Sequence, residues 1–123
     1  MTDKETDKYF MQKVIELAKN GQYTVHPNPM VGAIIVKNNK IISSGYHRKP
    51  GGPHAEQEAI KKAGRNAKNS TLYINLEPCC HYGRTPPCSD LIIQSKIRRV
   101  VVSCLDPNPL VNGKSIKQLR RSG

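Results

Sequence analysis

The stretch MVGAIIVKNNKII (30–42) decides the architecture. It opens with a β-branched run bounded by Pro29, crosses Asn38-Asn39, and resumes with Ile41-Ile42. Two apolar runs split by a two-residue turn of this kind predict a β-hairpin. Upstream, residues 6–19 carry Phe10, Val14, Leu17 and Ala18 at helical spacing, and Asn20-Gly21 is a stop signal, so a first amphipathic helix is expected to pack on the hairpin. Downstream, a second helix is expected from Pro53 through Ala59, Ile60 and Ala63 to Gly64, because proline suits a first helical turn. A strand over 72–76, a Pro/Cys-rich loop, a third helix from about Pro87 through Ile93 and a strand at 100–102 follow. After DPNPLVNG (106–113) a last helix would hold Ile116 and Leu119. Strands alternating with helices predict a three-layer α/β/α sandwich whose sheet is covered on both faces.

A chain of 123 residues without a linker-like segment is read as one domain, 1–123, large enough to build a core without metal or disulfides as its sole support. Its longest apolar run, over 31–36, falls far short of the ~20 residues a membrane helix needs. The start, MTDKETDKYF, has neither an apolar signal core nor an Arg-rich transit pattern, so a cytoplasmic location is expected. Four cysteines in that compartment should stay reduced, and the clustering of Cys79, Cys80 and Cys88 favours metal binding or catalysis over a disulfide framework. Twenty Lys and Arg against nine Asp and Glu give a net charge of +11, which suits a polyanion or an anionic substrate. With one Phe and no Trp there is little for bases to stack on, which argues against nucleic acid.

The chemistry concentrates in two places. His54-Ala55-Glu56 falls at the expected start of the second helix, and Pro78-Cys79 leaves the strand over 72–76, with Cys88 at the start of the next helix. One imidazole and two thiolates make a three-ligand set for Zn²⁺, with a fourth position for water as a catalytic site requires. In mid-helix, residues two apart point about 200° away from each other, so His54 and Glu56 can share a metal only at a helix tip. Together the pieces match the zinc deaminase signature of His-x-Glu followed by Pro-Cys and a second Cys, in which the Glu carries protons and is not a ligand.

The segments HPNPMVGAIIV (26–36), HAEQEAI (54–60), LEPCCHYGRTPPCSDLI (76–92) and DPNPLVNG (106–113) resemble the pyrimidine deaminases of bacterial riboflavin biosynthesis, within the cytidine deaminase-like superfamily. Common nucleoside and tRNA deaminases space the two cysteines as Cys-x-x-Cys, whereas here eight residues, including HYGRTPP, lie between Cys79 and Cys88. The resemblance implies a cytidine deaminase-like fold with a mixed central sheet and one Zn²⁺ per chain. It makes His54, Cys79 and Cys88 the ligands and Glu56 the proton shuttle. It implies hydrolytic deamination of 2,5-diamino-6-ribosylamino-4(3H)-pyrimidinone 5′-phosphate, and a homo-oligomer. It further makes Asn28, His47, His81, Arg84, Asp106 and Asn108 substrate contacts, the amide of Asn28 suiting a pyrimidine edge and Arg84 with His81 a phosphate. Asn28, Asp106 and Asn108 each adjoin a proline and could instead serve as turn caps. Relatives commonly carry a C-terminal NADPH-dependent reductase. No reductase domain is expected within these 123 residues, so that activity would be separate or missing.

Two other readings compete. A tRNA adenosine or free cytidine deaminase would use the same zinc and glutamate, but the cysteine spacing argues against it. A closed structural zinc module binding nucleic acid would give Glu56 no chemical task. Cys80 stands where the family usually has Ser and is read as a small packing residue, and Cys104 as a core residue. Metal analysis of single serine variants separates ligand from neighbour. Cys79→Ser and Cys88→Ser are expected to lose the zinc, and Cys80→Ser to keep it. Retention in Cys79→Ser with loss in Cys80→Ser would reverse the sulfur assignment.

Overall fold

The computed structural model describes residues 3–21, 31–47, 54–75 and 88–103. In chain order these form helix α1 (Asp3–Ala18), strands β1 (Gly32–Lys37) and β2 (Lys40–Tyr46), helix α2 (Ala55–Ala63), strand β3 (Thr71–Ile74), helix α3 (Cys88–Gln94) and strand β4 (Arg99–Val102). The hairpin turns at Asn38 and Asn39, both left-handed with φ of 54° and 63°, the geometry a two-residue turn needs and Asn tolerates. The two strands pair antiparallel from Lys37↔Lys40 to Gly32↔Tyr46, with a register shift between Ile35 and Val36. The expected second helix begins at Ala55, with Pro53 outside the described residues. The expected strand over 72–76 runs at Thr71–Ile74, and the anticipated helix holding Ile116 and Leu119 lies outside the described residues.

The sheet order is β2-β1-β3-β4, with β1 antiparallel to both neighbours and β3 parallel to β4, so the sheet is mixed as expected. Central β1 is free of polar side chains and buried from Gly32 to Val36 because both its faces are covered. Ala33 and Ile35 join Leu72, Ile74, Ile92 and the alanines of α2 in one cluster. Ile34 and Val36 join Phe10, Val14 and Tyr73 in the other, beneath α1. The described layers are therefore helix, sheet and helices. None of the described helices is long and apolar enough to cross a membrane.

One polar tie closes the α1 face. The Asp7 carboxylate receives Arg99 Nη1 at 2.8 Å, Arg99 Nη2 at 2.5 Å and the Tyr73 hydroxyl at 2.6 Å, joining α1 to β3 and β4. The Arg99 hydrogen bonds hold the Asp7 carboxyl below its ordinary 3.8, against the opposing effect of burial and with help from Tyr73. Burial first, and the Asp7 hydrogen bond second, push Tyr73 up to about 12. Since the folded Asp7 value is depressed, its contribution is present above pH 3.8 and is lost as pH falls through the folded value. The Tyr73 value is raised, so its contribution is complete below pH 10 and disappears towards pH 12.

Arg99 is 44% exposed, so solvent screening keeps the net worth of the tie small. Asp7→Asn is expected to cost about 1 kcal/mol at neutral pH. Urea unfolding at neutral and acid pH should show that deficit shrinking once the wild-type carboxyl itself protonates.

Candidate active site

Among the described residues, the candidate side chains of His47, His54 and Glu56 collect at one end of the sheet, where β2 and β3 finish and β1 starts. Helix α2 reaches that end because it lies against β2 at backbone contact distance. A Cβ on Gly45 would stand 2.5 Å from the Ala55 carbonyl oxygen and 2.8 Å from the Glu58 Cβ, so only glycine permits the seat. Ser43 Oγ donates to the Ala59 carbonyl at 2.7 Å, and Lys62 Nζ reaches the Ser44 carbonyl at 3.2 Å and Glu58 at 3.0 Å, which fixes the helix along the strand.

His54 is the N-cap of α2, with extended backbone (φ −74°, ψ 159°), and its N–H donates to Gln57 Oε1 at 2.8 Å. Standing outside the helical rotation, its ring turns back over the first helical turn. His54 Nδ1 comes to 3.7 Å from Glu56 Oε1, a separation longer than a hydrogen bond. The Glu56 side chain is only 4% exposed, while that of His54 is 45% exposed. A dry carboxylate thus sits behind an accessible imidazole, as a proton carrier beside a metal ligand requires.

His47 follows β2 and is buried, its ring perpendicular to that of His54 at 5.6 Å between centroids. The Gly32 N–H donates to Asn75 Oδ1 at 2.8 Å, tying the start of β1 to the residue after β3. Cys88 opens α3. The far end of that connection is fixed near the start of β3, where the Asn69 N–H donates to the Lys96 carbonyl at 2.9 Å, so α3 runs back from the site end and Cys88 begins there.

The structure therefore brings together His47, His54 and Glu56 and places the backbone of Cys88 at the same end. Asn28, Cys79, His81, Arg84, Asp106 and Asn108 lie outside the described residues. Among the described residues no three His, Cys, Asp or Glu side chains form a metal cluster. The donor chemistry fits zinc: an accessible imidazole at a helix tip, with two cysteine thiolates as the remaining candidate ligands. Sequence reasoning passed over Gly45, Gln57 and Asn75. The signal for Gln57 was its place three residues after the cap, the spacing of a capping box.

The family defined by the cytidine and deoxycytidylate deaminase zinc-binding region matches residues 4–104. The chain is 55% identical over 120 residues to the riboflavin biosynthesis protein RibD of Aquifex aeolicus, covering 98% of this chain and 34% of that protein. It is 53% identical over 117 residues to the diaminohydroxyphosphoribosylamino-pyrimidine deaminase of Buchnera aphidicola, covering 95% of this chain and 80% of that one. Its fold superposes with a TM-score of 0.91 and 47% identity on a Thermotoga maritima protein described as a diaminohydroxyphosphoribosylaminopyrimidine deaminase/5-amino-6-(5-phosphoribosylamino)uracil reductase, covering 97% of this chain and 35% of that one. The chain thus spans about a third of the length of the RibD relatives and most of that of the Buchnera deaminase.

Two glycines give a paired test of what seats the site. Gly45→Ala must push the first turn of α2, whereas Gly32→Ala would put a Cβ 2.6 Å from the Val14 carbonyl oxygen of α1 on the opposite face. Each is expected to cost about 1–3 kcal/mol by overpacking. Thermal unfolding should show both losses, and metal analysis should show a zinc deficit in Gly45→Ala alone.

Proposed function

The chain belongs to the cytidine and deoxycytidylate deaminase zinc-binding family, and within it to the diaminohydroxyphosphoribosylaminopyrimidine deaminases, and from that premise we propose that it hydrolyses the 2-amino group of 2,5-diamino-6-ribosylamino-4(3H)-pyrimidinone 5′-phosphate. The observation that carries the reading is the dry Glu56 carboxylate 3.7 Å from the His54 imidazole at a helix tip. The reaction replaces the exocyclic C–NH₂ bond by C=O, consuming one water and releasing one ammonia. The products are 5-amino-6-(5-phosphoribosylamino)uracil and ammonia.

His54, Cys79 and Cys88 would hold the zinc, which when bound supplies Lewis acidity and a nucleophile at neutral pH. Glu56 takes a proton at a carboxylate oxygen as water adds to the ring carbon and gives it to the ring nitrogen; it then takes the proton of the added hydroxyl and passes it to the amine, whose bond to carbon breaks as C=O forms. Its burial keeps bulk water from competing for that proton. Asn28 would read the pyrimidine edge, and His81 and Arg84 the phosphate. His47, Asp106 and Asn108 would border the same mouth. Product of this kind would pass to a 5-amino-6-(5-phosphoribosylamino)uracil reductase, the second activity named for the Thermotoga relative.

Incubating the zinc-loaded chain with the phosphorylated diaminopyrimidine and following ammonia tests the reading directly. Glu56→Gln should keep the fold and the metal yet lower kcat by at least about 10²–10⁴-fold, the usual worth of a general acid–base. Undiminished turnover in a zinc-replete Glu56→Gln sample would remove the mechanism.

A further inference from the structure

We propose that a cavity at the end of the sheet remote from His54 binds a small sugar phosphate, separately from the deamination chemistry. The cavity, of about 400 Å³, lies between the first turns of α1 and the end of the sheet where β1 finishes and β3 and β4 begin. Its volume falls in the range of small-molecule sites, about 300–1,000 Å³, and is more than an inorganic anion fills. From the pair Val36↔Thr71 beside it to Ala33↔Ile74 towards the candidate active site is about 10 Å along the strands.

The residues that turn the backbone here also make the cavity polar. Asn38 and Asn39 close the hairpin with φ of 54° and 63°, Asn69 takes φ of 63° just before β3, and all three line the cavity. Each side-chain amide offers both donors and an acceptor, which suits the hydroxyls of a sugar. Phe10 and Val36 add an apolar wall for its carbon skeleton. Lys37, the last residue of β1, and Arg98, just before β4, bring two cations to the same space. Asp7 is the one carboxylate among the lining residues, and the Arg99 fork already neutralises it. No carboxylate answers Lys37 or Arg98 among the described residues, so the cavity keeps an excess of two positive charges. A concave surface of one sign concentrates counter-ions, and a phosphate monoester carries about −1.5 to −2 at neutral pH. The planar fork of Arg98 matches the phosphate oxygens.

The test is a titration of the isotope-labelled full chain with ribose 5-phosphate at fixed ionic strength, following assigned backbone amides by NMR. Saturable shifts are expected at Asn38, Asn39 and Asn69. Ribose alone and inorganic phosphate alone should each bind at least about tenfold more weakly. Lys37→Ala and Arg98→Ala should each weaken binding about tenfold, the low end for a hydrogen bond to a charged group because both cations are near solvent. Thermal unfolding and ammonia release should stay at wild-type levels in both, since neither residue belongs to the candidate active site. Arg84→Ala, which removes the cation assigned to the substrate's phosphate, should leave these shifts untouched. Wild-type binding in both Lys37→Ala and Arg98→Ala, or an equal response to inorganic sulfate, overturns the proposal. Shifts confined to the His54 end and lost in Arg84→Ala overturn it too, placing the sugar phosphate in the active site. A single-stranded oligonucleotide that moves the same amides at lower concentration than ribose 5-phosphate makes this face a nucleic-acid surface and likewise refutes it. A chain that releases no ammonia would still show the shifts, so failure of the deaminase reading is a separate result.

Discussion

The approach of α2 to β2 at Gly45 governs everything at the site end of the sheet. Helix and strand meet with backbone against backbone, since a Cβ there would overlap the Ala55 carbonyl oxygen. The helix matches this with small residues: Ala55, Ala59 and Ala63, four residues apart, are all buried against the sheet cluster. A larger side chain at any of these positions would lift the helix and carry its first turn away from β2. Glu56 and His54 ride on that turn, so the place of the buried carboxylate and the accessible imidazole beside β2 and His47 depends on the absence of side-chain bulk at Gly45 and along this alanine row.

The opposite end of the sheet is held differently. There the Arg99 fork closes on Asp7 with Tyr73 as a third partner, joining the start of α1 to the strands at Thr71↔Arg99, the end remote from His54. A charge-assisted tie at that end stabilises the fold without placing a competing cation or carboxylate beside the candidate ligands. The α1 layer, which contributes Phe10 tilted against Tyr73 with ring centroids 5.3 Å apart, thereby supports the sheet from behind while the α2 layer carries His54 and Glu56. The two glycines divide along the same line, Gly32 admitting α1 and Gly45 admitting α2.

Much of this was legible in the chain. The period-3.6 pattern in α1, the Asn-Asn turn between β-branched runs and the alternation of strand and helix gave the element order, and residue chemistry alone placed His54 and Glu56 at a helix tip. What escaped was long-range and small. Nothing in the pattern ISSGY distinguishes a glycine that admits a helix from one that merely turns, because the helix it admits is ten residues away. Asn75 looks like a turn residue after a strand, yet it replaces a ladder acceptor for Gly32, 43 residues distant. His47 falls nearly within the strand it follows, and only the packing shows that its ring faces that of His54.

The topology also explains how a chain can tolerate eight residues between Cys79 and Cys88 where the Cys-x-x-Cys deaminases use two. A parallel β3–β4 pair needs a crossover, and α3, seven residues or about 10 Å long, spans most of the sheet on its way back. Its start is therefore pinned at the site end by its finish, which the Asn69–Lys96 hydrogen bond holds near the start of β3. The position of Cys88 is fixed from the helix side, independently of how long a path leads to it. Lengthening that path from two residues to eight is two doublings of a loop, about 1.2 kcal/mol of closure entropy, with no slip in any strand register. The candidate ligand Cys88 can therefore keep its place at that small cost however many residues lead to it, because the start of α3 and not the length of the preceding segment locates it.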